Sequence, residues 1–227
     1  MSTSTELAPM NPSIASMYES TTTADIVIPQ IRLVAELSGA AKGGKKAVAV
    51  AGDMLLSNGP DDPEPIHLIS DAAGDEFTAY IIGRRSFAAT TSGGRFEFQD
   101  ERDPDDDQSW NGWIFDVALP EYDEVLPATW MLWKTSGSMS ARNINTMLDR
   151  AFASGDYDPI AVKVKVREKT SSGGFTYHQP VVSPGERTPG GVTIAKQLQE
   201  NLASLKRNAR SENAAPAAGR LDQPGIA

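Results

Sequence analysis

The most informative chemical pattern in this chain is a row of four cations at every second residue. Alternation of apolar and basic side chains with period two is typical of a half-buried strand, with its apolar side on the core and its polar side in water. A basic row suits a polyanion, and it contrasts with the net charge of -9 of the whole chain. The apolar members are Ile160, Val162, Val164 and Val166, and the basic members are Lys163, Lys165, Arg167 and Lys169. Lysines on an edge strand also block edge-to-edge aggregation, and this second interpretation stays open.

A hairpin turn is predicted at residues 171–174 (SSGG), followed by a return strand, FTYHQPVV. With a centred turn, Arg167 lies opposite His178, and Tyr177 falls on the valine side. A one-residue slip instead places Phe175 and Tyr177 beside the basic side chains, because each step in register moves a side chain to the other face. The sequence leaves both registers open.

Single-stranded nucleic acid is bound by a cationic groove that follows the phosphates and by aromatic side chains on which bases stack. The cation row, His178, Phe175 and Tyr177 are the first candidates for such a surface. Further candidates for phosphate contacts are Arg84, Arg85 and Lys134, and further candidates for stacking are Tyr80, Trp130 and Trp133. Each tryptophan has a competing role in the core, because large aromatics dominate core burial.

Catalytic patterns are missing from the sequence. The two histidines, His67 and His178, have no metal-ligand spacing, and no G-x-S-x-G motif marks a nucleophilic serine. Paired carboxylates occur only in hydrophilic loops, where nothing raises a pKa for general-acid work. The sequence therefore predicts a protein that is not an enzyme and has no cofactor.

Two loops resemble ligand loops only superficially. The basic loop around Lys45 and Lys46 continues with Ala47, so the phosphate-binding G-x-x-x-x-G-K-[ST] pattern fails. The acidic stretch at residues 100–107 lacks the glycine and glutamate of a calcium loop, since Gln108 and Ile114 hold those positions. We interpret both loops as solvated, with no metal site, and contact of the basic loop with phosphates stays open as a second interpretation.

Composition places the chain in a reducing compartment, because it contains no cysteine. No run approaches the roughly 20 apolar residues of a membrane span. The N-terminus has neither the basic nor the apolar region of a signal peptide. The sequence thus predicts a cytoplasmic protein without membrane contacts.

Composition and periodicity divide the chain into four parts: residues 1–24 and 208–227 as disordered ends, 25–185 as a β-rich domain, and 186–207 as a linker and helix. The fold class expected is mainly β with α (α+β): an OB-like barrel or a strongly bent antiparallel sheet with one inserted helix and a C-terminal helix. The strand at Glu76–Arg84 has bulk on both faces and is expected to be central.

The inserted helix is predicted at Ser138–Phe152, with Ser138 as its cap. A turn is predicted at Asn111-Gly112. The C-terminal helix carries an apolar stripe that either docks on the sheet or pairs with a second subunit. The stripe comprises Ile194, Leu198, Leu202 and Leu205.

Three stretches, in this order, resemble phage-encoded single-stranded-DNA-binding proteins of replication and recombination modules. They are DIVIPQIRLVAELSG with the turn AVAGDML, then SGSMSARNINTMLDRAF, and finally AVKVKVREKTSSGGFTYHQPVV. The resemblance implies an OB-like five-stranded barrel, cytoplasmic action and sequence-tolerant binding. Members often end in an acidic tail that recruits partners, whereas this chain ends in the nearly neutral RSENAAPAAGRLDQPGIA.

The leading hypothesis is therefore single-stranded DNA binding in phage replication or recombination, with replication or recombination proteins as further partners. The second hypothesis is a structural or assembly protein of a virion that uses the same sheet and the C-terminal helix for subunit contacts. An enzyme of unrecognised type is the third.

Overall fold

The computed structural model describes residues 28–34, 49–57, 67–70, 74–91, 97–121 and 127–214, without the side chains of His67, Leu68, Thr135, Ser136 and residues 205–214. The predicted disordered segment 1–24, the basic loop around Lys45 and residues 215–227 of the predicted tail lie outside this description. The described strands are β1 (Gln30–Leu33), β2 (Met54–Ser57), β3 (His67–Ser70), β4 (Glu76–Thr90), β5 (Glu97–Gln99), β6 (Ser109–Ala118), β7 (Ala128–Trp133), β8 (Ile160–Thr170) and β9 (Thr176–Pro184).

Among the described residues, two helices accompany the strands: α1 (Lys134–Ala153) and α2 (Pro189–Ala214). Residues 28–202 form one compact unit that includes the sheet, α1 and the first part of α2. The second unit combines residues 1–27 and 203–227, of which the structure describes only the helical residues up to Ala214. The structure therefore describes residues 208–214, which the sequence assigns to the disordered tail, as part of α2.

The strands join in one sheet with the order β3-β2-β1-β7-β6-β4-β8-β9, and β5 pairs with the far end of β4. All pairs are antiparallel except β1 and β7, which run parallel. The sheet curls strongly into a half-barrel. The mainly β architecture with two helices and a bent sheet is confirmed, whereas the five-stranded OB barrel is not.

Each face of the curled sheet is covered by a helix. The inner face packs its main core against α1, through Ala141, Ile144 and Leu148. The outer face packs a smaller core against α2, through Ala195, Leu198 and Leu202. Docking of the C-terminal helix on the sheet is thus confirmed for these residues, while Ile194 is 36% exposed and the side chain of Leu205 is not described.

β4 is the central element, as its two apolar faces predict. Phe77 and Ile81 belong to the α1 core, while Tyr80 and Ile82 belong to the α2 core. The strand also pairs with β6 on one side and with β8 on the other. It continues to Thr90, so the prediction that it ends at Arg84 was wrong.

The predicted start of α1 was also wrong. The helix begins at Lys134, directly after β7, and its N-cap residue Trp133 makes no capping hydrogen bond through its side chain. Lys134 has a φ of 53°, which turns the strand into the helix without a loop. Thr135 to Gly137 are therefore helical, because tertiary packing outweighs the weak helix propensity of these residues.

The turn predicted at Asn111-Gly112 does not exist, since β6 runs through both residues. A Cβ atom on Gly112 would lie 2.4 Å from the ring of Phe87. Glycine is needed at this position because the aromatic ring of the neighbouring strand lies directly against the backbone. Among the described residues, no helix is long and apolar enough to cross a membrane.

Candidate nucleic-acid interface

The hairpin of β8 and β9 has the second of the two registers that the sequence allowed. Ser171 N donates a 2.8 Å hydrogen bond to Phe175 O, which closes a loop over residues 172–174. Gly174 has a φ of +80°, the left-handed conformation that glycine adopts readily at this position of such loops. As a result Lys169 lies directly opposite Tyr177, and the two side chains share one face of the hairpin.

The outer half of this hairpin is a two-stranded ribbon, which we call the basic arm (residues 165–181). Lys165 is the last residue of β8 that pairs with β4; from Val166 onward, β9 is its only described strand partner. The arm carries three cations and one carboxylate, Glu168, within a chain whose net charge is -9. Lys165, Arg167, Lys169 and Tyr177 lie on one face, and Glu168 lies on the other.

Three of the four predicted cations lack an ionic partner in the described part of the chain. They are Lys165, Arg167 and Lys169, all exposed. Lys163 differs, because its ammonium lies 2.9 Å from the carboxylate of Glu76. The hydrogen bond that the Lys163 ammonium donates to Glu76 raises the pKa of Lys163 above its ordinary value. Of the four cations in the row, the three that form no ion pair within the described residues are therefore the three on the arm.

Helix α1 holds the base of the arm. The hydroxyl of Ser140, which is buried, donates to the carbonyl of Pro180. The side-chain amide of Asn143 donates to the carbonyl of Val182 at 3.4 Å. These bonds fix the outer edge of β9 to the helix, so the arm is oriented by the body of the protein rather than by its own turn.

The remaining arm candidates differ in position. Phe175 lies at the tip and is 77% exposed, so it is accessible to a stacking base. Tyr177 is half-buried beside Lys169. His178 lies opposite Glu168, on the other face from the basic side chains, and does not join the cation row.

Arg84 and Arg85 are neutralised within the protein. Arg84 donates to Asn145 and Asp149 of α1 at 2.8 and 2.7 Å, and its guanidinium lies over Trp113 at 5.7 Å from the ring centroid. Arg85 pairs with the buried carboxylate of Asp116 at 2.8 Å. Arg84 therefore links β4 to α1, Arg85 links β4 to β6, and neither arginine adds to the arm.

Two predicted stacking residues lie in the cores. Trp130 is only 1% exposed and belongs to the core under α1, so a base cannot reach it in this conformation. Tyr80 is 2% exposed, and its hydroxyl accepts a 3.0 Å hydrogen bond from the backbone of Thr188, just before α2. Both residues contribute to stability, which corrects the expectation that they stack on bases.

Trp133 and Lys134 lie in a separate aromatic cluster. Trp133 stacks on Trp110 with 5.5 Å between the ring centroids, Phe87 contacts both rings edge-on, and Lys134 lies 4.9 Å above Trp110. This cluster shares the outer sheet face with the arm. However, β4 separates the two by the stretch from Glu76 to Phe87, a path of about 35 Å at the usual rise of a strand. The two groups therefore do not form one groove.

The acidic stretch at residues 100–107 uses several carboxylates to shape its own turns. Asp103 accepts from the backbone of Asp105 at 2.9 Å, and Asp106 accepts from the backbone of Gln108 at 2.8 Å. Asp106 also accepts from the hydroxyl of Thr90 at 3.1 Å. These bonds tie the loop to the end of β4.

One surface feature was not found from the sequence. A cleft of about 440 Å³ lies between α1 and the ends of β6 and β7. Its polar residues on α1, Ser138, Arg142, Asn145 and Asp149, recur at spacings of three and four, which places them on one side of the helix. That spacing is a signal that the sequence itself carries.

No protein-family model matches this chain, and neither the curated proteins nor the solved structures contain a significant match. The functional argument therefore rests on the geometry of the chain itself.

Proposed function

We propose that this protein binds single-stranded DNA without strong sequence preference, through the basic arm, and that it catalyses no reaction. The observation that carries the proposal is the register of the arm, which sets Tyr177 beside Lys169 and in line with Arg167 and Lys165. Sequence-tolerant binding needs cations for the phosphates and an aromatic surface for the bases. The arm offers both on one face.

The spacing of the three cations supports a strand-tracking mode. Alternate residues on one face of a β-strand are about 6.7 Å apart, so the cations from Lys165 to Lys169 span about 13 Å. The acidic loop is tied to Thr90, about 45 Å along β4 from Glu76 beside the arm. This separation exceeds the screening distance of about 8–10 Å at physiological salt, so the charge of the loop is largely screened from the arm. An acidic protein can therefore present a local binding site for a polyanion.

The resemblance to phage replication and recombination proteins gives the biological setting of the proposal. The proposal also includes an OB-like architecture of the curled sheet, action in the host cytoplasm and contacts with replication or recombination proteins. The alternative of a virion structural protein loses one of its arguments, because Leu198 and Leu202 of α2 are buried on the sheet rather than available for a subunit contact.

The test is a titration of labelled oligo(dT) at several salt concentrations. Each phosphate contact on a single strand contributes about 0.7 to the slope of log affinity against log salt. Replacing Lys165, Arg167 and Lys169 together by alanine should lower the slope by about 2 and reduce the affinity about 100-fold at 0.1 M salt. Absence of binding at low salt would overturn the proposal.

A matched pair of single variants separates a local contact from general charge. Arg167→Ala removes one arginine from the arm and should weaken binding about fivefold at 0.1 M salt. Arg150→Ala removes one exposed arginine from the end of α1 and should leave the affinity unchanged. Equal effects of the two variants on oligo(dT) affinity would indicate that the cation row protects a sheet edge from aggregation instead of contacting DNA.

A further inference from the structure

The cleft beside α1 has the composition of a small-molecule site. Its volume of about 440 Å³ lies within the usual range of about 300–1,000 Å³ for ligand pockets. Its apolar lining comes from Leu132 and Ala141, which are buried, and from the partly exposed ring of Trp113. An apolar floor with a few convergent polar groups is the usual arrangement of such sites.

The polar lining has unused hydrogen-bonding capacity. The carboxamide of Asn145 uses its oxygen to accept from Arg84, which leaves its NH₂ group for another partner. The side chain of Asn111 and the hydroxyl of Ser138 are exposed at the cleft and make no hydrogen bond to any described residue. Carboxamides can pair with the edges of nucleobases in two-point hydrogen bonds.

The charges in the cleft are unbalanced in favour of an anion. Asp149 is neutralised by Arg84 at 2.7 Å. Arg142, one turn before Asn145 on the same side of α1, is exposed and has no carboxylate partner among the described residues. A guanidinium is well suited to a phosphate, because its planar donors match the phosphate oxygens.

We propose that this cleft binds a nucleoside monophosphate, with the phosphate on Arg142, the base against Trp113 and the base edge on Asn111 and Asn145. The indole, the carboxamides and the guanidinium correspond to the three chemical parts of this ligand. The same chemistry is offered by a free nucleotide and by one nucleotide of a DNA strand.

The proposed site is independent of the arm. Trp113 and Leu132 lie on the sheet face that packs against α1, whereas Lys165 and Arg167 lie on the opposite face. A variant of one site should therefore leave the other intact, and the proposal for the cleft does not rest on the proposed DNA-binding function.

The test is equilibrium dialysis of the full chain with radiolabelled dAMP. We expect saturable binding with one site per chain, and Arg142→Ala should weaken it about 10- to 100-fold, since a hydrogen-bonded ion pair is lost. Arg150→Ala is the matched control, because it removes a residue of the same type from the same helix but outside the cleft. This variant should bind dAMP like the unchanged protein. The proposed nucleotide site would be refuted by the absence of saturable binding at millimolar dAMP, or by equal losses of dAMP affinity in the two variants.

A second measurement uses the triple alanine variant of the basic arm. Unchanged dAMP binding in that variant supports the cleft, whereas loss of binding would place the nucleotide on the arm and overturn the proposal. Competition with a short oligo(dA), carried out in the same variant, then identifies the source of the ligand. Displacement of dAMP indicates a nucleotide within a strand, no displacement indicates a free nucleotide, and either result supports the cleft.

Discussion

The arginine pair of β4 and the cations of the arm are chemically alike, yet the protein uses them differently. Arg84 is held by Asn145, Asp149 and the ring of Trp113, and Arg85 is held by Asp116. Lys165, Arg167 and Lys169 form no ion pair in the described part of the chain. The difference shows that a cation becomes available to a ligand only where the fold brings no counter-charge to it.

The aromatic residues show the same contrast. Trp130 and Tyr80 fill the two cores, while Phe175 and Tyr177 lie on a ribbon that extends past the main sheet. Residue type alone ranks tryptophan as the stronger stacking partner. Position reverses that order, because a side chain without exposed surface cannot meet a base.

The largest expected effects test this aromatic comparison through two quantities, the free energy of unfolding and the affinity for oligo(dT). Trp130→Ala should lower the free energy of unfolding by about 3–5 kcal/mol, since it empties a large volume in the core. Tyr177→Ala should change the free energy of unfolding by less than about 0.5 kcal/mol. It should weaken oligo(dT) binding by about 1–3 kcal/mol, the usual loss for one stacked base.

Urea unfolding followed by circular dichroism, together with oligo(dT) titration of the folded variants, distinguishes these outcomes. The contrast fails if Tyr177→Ala destabilises the protein as much as Trp130→Ala, or if it binds oligo(dT) like the unchanged chain.

A second variant tests the arginine comparison. Arg84→Ala should lower the free energy of unfolding by about 1–3 kcal/mol, because it leaves the partly buried amide of Asn145 and the carboxylate of Asp149 without their donor. The affinity of the folded variant for oligo(dT) should not change. Arg150→Ala serves as the control and should stay within about 0.5 kcal/mol of the unchanged protein. A loss of DNA affinity in Arg84→Ala would contradict this prediction and would indicate that Arg84 contacts the DNA.

The smallest effect concerns an ion pair between residues that flank the hairpin. Arg187 donates a hydrogen bond to Asp156, which lowers the pKa of Asp156 below its usual value of 3.8. A carboxyl with a lowered folded pKa stabilises the fold above its unfolded pKa, and this stabilisation disappears as the pH falls through the folded pKa.

Asp156→Asn should therefore be slightly less stable than the unchanged protein at pH 7, and the difference should shrink below about pH 4. Thermal unfolding at pH 7 and at pH 3 measures it. A stability difference that grows on acidification would contradict the assigned ion pair.

The half of the fold that sequence could predict is the half determined by local pattern. The valine face of β8, the two-sided burial of β4 and the docked stripe of α2 all follow from the period of their apolar residues. The wrong predictions, of a turn in β6 and of the start of α1, have local causes as well. Asn111-Gly112 has the chemistry of a tight turn, but in β6 the glycine makes room for Phe87 from the next strand. Ser138 has the chemistry of a helix cap, but the helix begins earlier, at Lys134.

The candidate site was predictable only as a set of residue types. The cation row was predicted as an exposed face, and it is one. The pairing of Lys169 with Tyr177 depends on where the hairpin loop closes, and the sequence SSGG allowed two answers. The neutralisation of Arg84 depends on Asn145 and Asp149, more than 60 residues further along the chain, and no periodicity reports such a contact.

The sequence by itself determined that β8 has one apolar and one basic face, because a side-chain period of two leaves no other assignment. Only the tertiary structure decided which cations remain available and which aromatic residues stand beside them. Strand register and the approach of α1 to the sheet are long-range contacts, chosen by the packing of the whole core rather than by the residues that they bring together.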